Sequence, residues 1–142
     1  MARFGTWVNG VIVLNNGTTY NFSDHAREIT LETSVAELPD DVHGDNVSKV
    51  AAGLEDWTIT ATFLQDFAAS SIDVTMNLIG GVGHTPFVIE VGASAAAVSA
   101  TNPRYSGTAI LASYGPLRGA HGANLETQAT FRPASRLTRR TT

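Results

Sequence analysis

The sequence predicts a mainly β chain: an antiparallel β-sandwich or small barrel with one flanking α-helix and a long loop between early strands. Three observations carry that prediction. Apolar and polar residues alternate over 28–35, 57–63 and 125–132, the period of strands with one buried and one wet face. Charged residues make up 15% of the 142, against ~25% in an average soluble domain. Thr, Ser, Ala, Asn and Gly fill the difference, and these are the residues of sheet surfaces and tight turns. Finally, the stretch 53–81 begins in alternation and then changes to a period near that of a helix. The length fits one domain, residues 1–142, with a core of its own.

Taken in order, Val11, Ile12, Val13 and Leu14 read as a buried strand. Asn15-Asn16-Gly17 follows, and Asn-Gly is a strong hairpin turn because both residues tolerate positive φ. A return strand then covers 18–22. Over 28–35, Ile29, Leu31, Thr33 and Val35 share one face, and Glu28, Thr30, Glu32 and Ser34 share the other. Residues 37–53 (ELPDDVHGDNVSKVAAG) hold no sustained period and contain Pro39, Gly44 and a cluster of acids. They predict a long mobile loop of the kind usually kept for function. Trp57, Ile59, Ala61 and Phe63 then face one way, with Thr58, Thr60 and Thr62 facing the other.

Ser70 to Asp73 fits a capping box. Ile72, Met76 and Ile79 fall at helical spacing, and Gly80-Gly81 ends the helix. The remaining strands are expected over 86–91, 104–114 and 124–132, the last two joined by GPLRGAHGA. Residues 134–142 are expected to be a loose basic tail. About seven strands and one helix suggest a sandwich or barrel.

Charge is segregated along the chain. Between Asp24 and Asp73 lie eleven acidic residues against Arg27 and Lys49, while Arg104 onward holds six arginines and one acid, Glu126. Two arrangements fit: the halves neutralise each other within one fold, or opposite charges meet between copies in a head-to-tail assembly. The N-terminal MARFGTWVNG lacks the apolar segment of a signal peptide, and no apolar run reaches the ~18 residues of a membrane span. A cytoplasmic site of synthesis is expected.

Little in the sequence suggests chemistry. There is no cysteine, so thiolate catalysis and Cys-based zinc sites are excluded. His25, His43, His84 and His121 form no H-x-x-H pair, and the ordinary reading is exposed turn histidine. Asp40, Asp41, His43 and Asp45 do not match an EF-hand loop, which favours a solvated acidic loop over a metal site. No G-x-S-x-G elbow or S-x-x-K motif is present, and Gly80 to Gly83 lack the Lys-Ser/Thr of a phosphate loop. A pI near 5.4 is far from the basic surface of a duplex binder. Neither an enzyme nor a cofactor is expected.

Three ordered segments resemble the major tail tube proteins of long-tailed, non-contractile bacteriophages. They are VNGVIVLNNGTTYNFSDHAREITLETS, GLEDWTITATFLQDFAASSIDVTMNLIGG and SATNPRYSGTAILASYGPLRGAHGANLETQATFRP. The resemblance implies a β-sandwich or small barrel with a flanking helix, assembled as hexameric rings that stack into a hollow conduit for DNA. It implies other copies of the chain, a tape-measure protein, a tail terminator and distal tail proteins as partners. It also implies assembly in a host cytoplasm, residence in the virion tail and no membrane.

In such tubes the long loop reaches the adjacent ring, which makes Asp40, Asp41, Asp45 and Lys49 candidate inter-ring contacts. Arg132, Arg136, Arg139 and Arg140 are the candidate inter-subunit contacts that would meet those acids. Glu28, Glu32, Thr58, Thr60 and Thr62 are the candidate lumen-facing residues, since a wet, acidic lining repels phosphate. A terminator or distal ring of related fold, and a ligand-binding sandwich, are the alternatives.

Overall fold

A computed structural model describes residues 10–69, 71–79 and 86–142. Within them the chain runs β1 (Val11–Asn15), β2 (Thr19–Asn21), β3 (Ala26–Pro39), β4 (Val50–Leu64), α1 (Ile72–Ile79), β5 (Phe87–Gly92), β6 (Arg104–Arg118), β7 (Glu126–Pro133) and β8 (Thr138–Arg140). The strands form one sheet in the order β2-β1-β5-β6-β7-β4-β3, with β8 added to β6. Every pairing is antiparallel.

The sheet curls so that its apolar face closes on itself. Phe22, just past β2 near one end of the strand order, meets Phe63 of β4 edge-on at 6.1 Å. Phe87 of β5 and Phe131 of β7 pack the same way at 5.7 Å. Ile12, Leu14, Ile59, Ile89 and Ala109 fill the space between them. Ile72 and Met76 of α1 join this core, so the helix lies on the apolar side and leaves the other face of the sheet open. Trp57, Ile59, Ala61 and Phe63 are buried as the alternation predicts.

At the first turn, Gly17 takes φ 109°, and Asn15 pairs with Thr19. The connection is therefore three residues long. The turn closes on side chains, with Asn15 Oδ1 accepting the Gly17 N–H at 2.9 Å. Helix α1 is closed by Ser71, whose carbonyl accepts the Thr75 N–H at 3.0 Å. Ser70 of the expected capping box, together with Gly80 to Gly83, His84 and Trp7, lies outside the described residues.

Four expectations change. The two ends of 37–53 are strand: Glu37, Leu38 and Pro39 pair with Ala52, Ala51 and Val50, so β3 and β4 continue as a projecting hairpin and the loop is confined to its tip, 40–49. A register shift between Val35 and Glu37 bends it. Thr33 and Val35, expected on the buried face, are exposed because they lie where the hairpin leaves the body. Strand β6 runs on to Arg118, through what reads as a Gly/Pro linker. The basic tail is ordered by backbone pairing, with Arg104, Tyr105 and Ser106 opposite Arg140, Arg139 and Thr138.

Candidate functional site: a polar sheet face and a projecting hairpin

The open face of the sheet is built by the residues that alternate with the core. Strand register places Glu28 beside Thr62, Thr30 beside Thr60 and Glu32 beside Thr58. It continues across β7 as Thr60 beside Thr130 and Thr62 beside Gln128. Three strands, β3, β4 and β7, thus give a wet surface rich in threonine. Glu28 and Glu32 are exposed and make no ion pair among the described residues, whereas Thr62 is only 8% exposed. All five residues expected on one face are brought together there.

An arginine shares this face. The Arg132 guanidinium donates to Thr58 Oγ1 and pairs with Asp56 at 2.9 Å. Further along, Arg104 pairs with Glu90 at 3.0 Å and donates to the Ser94 carbonyl at 3.1 Å. Arg140 reaches the same Glu90 at 3.4 Å. Arg136 grips Glu55 through two nitrogens, at 3.0 and 3.2 Å. Arg139 donates to the Ala100 carbonyl at 3.5 Å. Each of the four C-terminal arginines therefore has a partner in its own chain, and three of them neutralise acids. The segregated charges of the sequence meet in part within the fold.

The hairpin tip is internally tied. Asp45 accepts the Val42 N–H at 2.9 Å and pairs with Lys49 at 2.9 Å. These two donors, the backbone one foremost, hold its carboxyl below the usual range. Asp41 accepts the backbone N–H of Lys49 and the Ser48 hydroxyl. The Asp40 N–H closes the tip on the Lys49 carbonyl at 3.0 Å, while its carboxylate, like that of Glu37, carries no ion pair among the described residues. The hairpin exposes Val42 and Val47 at its tip and Leu38 and Val50 in the strands just below it. Sequence reading missed these apolar residues because they follow no period.

At the other end of β4, His25 lies between two carboxylates, 2.8 Å from Asp24 and 3.1 Å from Asp66. Burial works against its charged form, but the hydrogen bonds to the two aspartates prevail and its pKa is raised. Asp66 also accepts the Ala68 N–H at 2.9 Å, the foremost reason that its own pKa is lowered. An open groove of about 730 Å³ lies between Ile29 and Leu31 of β3 and Val91, Pro103 and Tyr105. Its lining carries the hydroxyls of Thr30, Thr33 and Tyr105 but no carboxylate, histidine or lysine to activate them. Among the described residues no group of three His, Asp or Glu is placed to hold a metal.

No family model matches the chain, and no curated protein matches it. Solved structures do. A chain from the virion of a native gene transfer agent particle aligns with a TM-score of 0.73 at 11% identity, covering 97% of this chain and 98% of that one. The SPP1 tail tube aligns with a TM-score of 0.72 at 9% identity, over 94% of this chain and 77% of the other.

The fold is tail-tube-like.

A subunit from the tail of an empty gene transfer agent particle, refined with C6 symmetry, aligns at 0.68 and 12% identity over 96% and 98% of the two chains. Identities this low carry the architecture and no more. The three alignments nevertheless cover 94–97% of this chain.

Proposed function

We propose that this chain is a structural subunit of a phage-type tail tube, forming hexameric rings that stack into a passive conduit for DNA. The observation that supports it most is the alignment of 94% of the chain with a solved tail tube. Two physical features favour the same reading. Strand β3 is a 14-residue strand at the end of the sheet order, and a long unpaired edge invites pairing with another chain. The wet face of Glu28, Glu32, Thr58, Thr60 and Thr62 suits a lumen, because hydroxyls and carboxylates keep it hydrated and repel phosphate. A basic lining would instead hold DNA by counterion release.

In this reading the partners are further copies of the chain, a tape-measure protein, and the terminator and distal proteins at the two ends. The particle is the virion tail, built in a host cytoplasm, and the protein performs no catalysis. Likeness to a chain of an anti-feeding prophage baseplate, with a TM-score of 0.59, favours a distal ring as the second reading. Negative-stain microscopy of the concentrated protein separates the two. Stacked hollow tubes are expected; isolated rings would move the assignment to a terminal ring protein, and monomers at every concentration would refute both.

A further inference from the structure

The turn between β1 and β2 holds a reactive pair that the tail-tube reading does not use. We infer that Asn16 is a site of spontaneous deamidation and isoaspartate formation in the folded chain, and that the Asn15 side chain sets its rate. Among the described residues Asn16 is the only asparagine followed by glycine; every other is followed by a residue that carries a β-carbon.

The step needs no partner but water. The backbone nitrogen of Gly17 loses its proton to hydroxide, and its electron pair attacks Asn16 Cγ. The new Cγ–N bond closes a cyclic imide while the Cγ–Nδ2 bond breaks, and Nδ2 takes a proton from water and leaves as ammonia. Water then opens the ring on either side. Cleavage of the Cγ–N bond leaves aspartate in the ordinary backbone. Cleavage between the Asn16 carbonyl carbon and the same nitrogen leaves isoaspartate, whose main chain runs through the side-chain carbons. Glycine suits the attacking position because it has no Cβ to obstruct the approach.

The turn supplies both a spur and a restraint. Residues 15–19 are exposed, and a Cβ on Gly17 would meet nothing within 4 Å, so water reaches the pair. The Thr18 N–H donates to Asn16 Oδ1 at 3.4 Å. That bond polarises the amide carbon and meets the negative charge that grows on its oxygen during attack. Against it, the Gly17 N–H, whose proton must leave, is held by Asn15 Oδ1 at 2.9 Å. The Asn15 amide is itself fixed, donating from Nδ2 to Thr19 Oγ1 at 3.3 Å. A hydrogen bond to the protonated nitrogen disfavours its ionised form, so Asn15 slows the step for which its neighbour is otherwise set. Asn15 pairs with Thr19 across the turn, and an isoaspartate there would lengthen the connection and add a charge to it.

The test incubates the full chain, dilute and at mildly alkaline pH, and follows Asn16 by peptide mass spectrometry. Fragmentation tells isoaspartate from aspartate and resolves Asn16 from Asn9, which precedes Gly10 in the sequence; circular dichroism checks folding. Asn16 is expected to convert to both products. Asn15→Ala is expected to convert roughly fivefold faster, the scale of one lost hydrogen bond. Asn15→Asp keeps an acceptor for the Gly17 N–H and is expected to stay near the wild-type rate. In urea, where no turn is held, wild-type and Asn15→Ala chains are expected to convert alike. An Asn16 that stays intact in the folded chain while it converts in urea would overturn the inference. Equal rates in the folded wild-type and Asn15→Ala chains would overturn the role assigned to Asn15.

Discussion

At the scale of single residues, Gly107 and His25 make the most exacting demands. A Cβ on Gly107 would stand 2.9 Å from Trp57 Cζ2 and 3.4 Å from the Arg136 carbonyl. The indole cannot retreat, because its Nε1–H donates to the Ser135 carbonyl at 2.9 Å. Gly107→Ala should therefore cost about 1–3 kcal/mol, as overpacked cores do, measured as a lower denaturation midpoint with unchanged slope. At His25 both ring nitrogens face carboxylate oxygens, and only the imidazolium can donate to both. Its folded-state pKa is raised above 6.5, so the stabilisation is fully present below pH 6.5 and is lost as pH rises through the folded value. Asp66 acts in the opposite sense: its lowered pKa gives stability present above ~3.8 and lost on further acidification. His25→Gln should flatten the alkaline fall in thermal stability. An unchanged pH profile in that variant would exclude His25 as its source.

At the scale of elements, what burial dictates was legible and what backbone pairing dictates was not. The alternation of Trp57, Ile59, Ala61 and Phe63 announces β4, because each second residue is in the core. The outer half of the β3–β4 hairpin has no buried face, so Glu37–Pro39 and Val50–Ala52 show no period although they pair in register. Strand β8 is hidden for the same reason. Thr138, Arg139 and Arg140 are all exposed and are held by their ladder with β6. Replacing residues 40–49 by a two-residue Asn-Gly turn should leave the body folded, since this tip contributes nothing to the core. The prediction is an unchanged thermal midpoint together with the loss of tubes, seen by calorimetry and microscopy on one sample.

At the scale of the whole molecule, the division between an acidic first half and a basic second half resolves into two parts. Asp56 with Arg132 and Glu55 with Arg136 neutralise each other across the β4–β7 side of the fold, so that part of the asymmetry is internal. What remains is an acidic hairpin tip at one end, the His25 cluster with Asp24 and Asp66 at the other, and an open polar sheet face between them. A subunit of this shape has a direction, and under the proposed function copies added in that direction would make a tube whose wall is the sheet.

The central claim is that the face carrying Glu28, Glu32, Thr58, Thr60 and Thr62 lines a channel. A cryo-EM reconstruction of tubes assembled from the purified chain tests it most directly. The account predicts stacked six-fold rings with these five residues facing the bore. A tube in which they face the outside, with the helix α1 side turned inward, would contradict it.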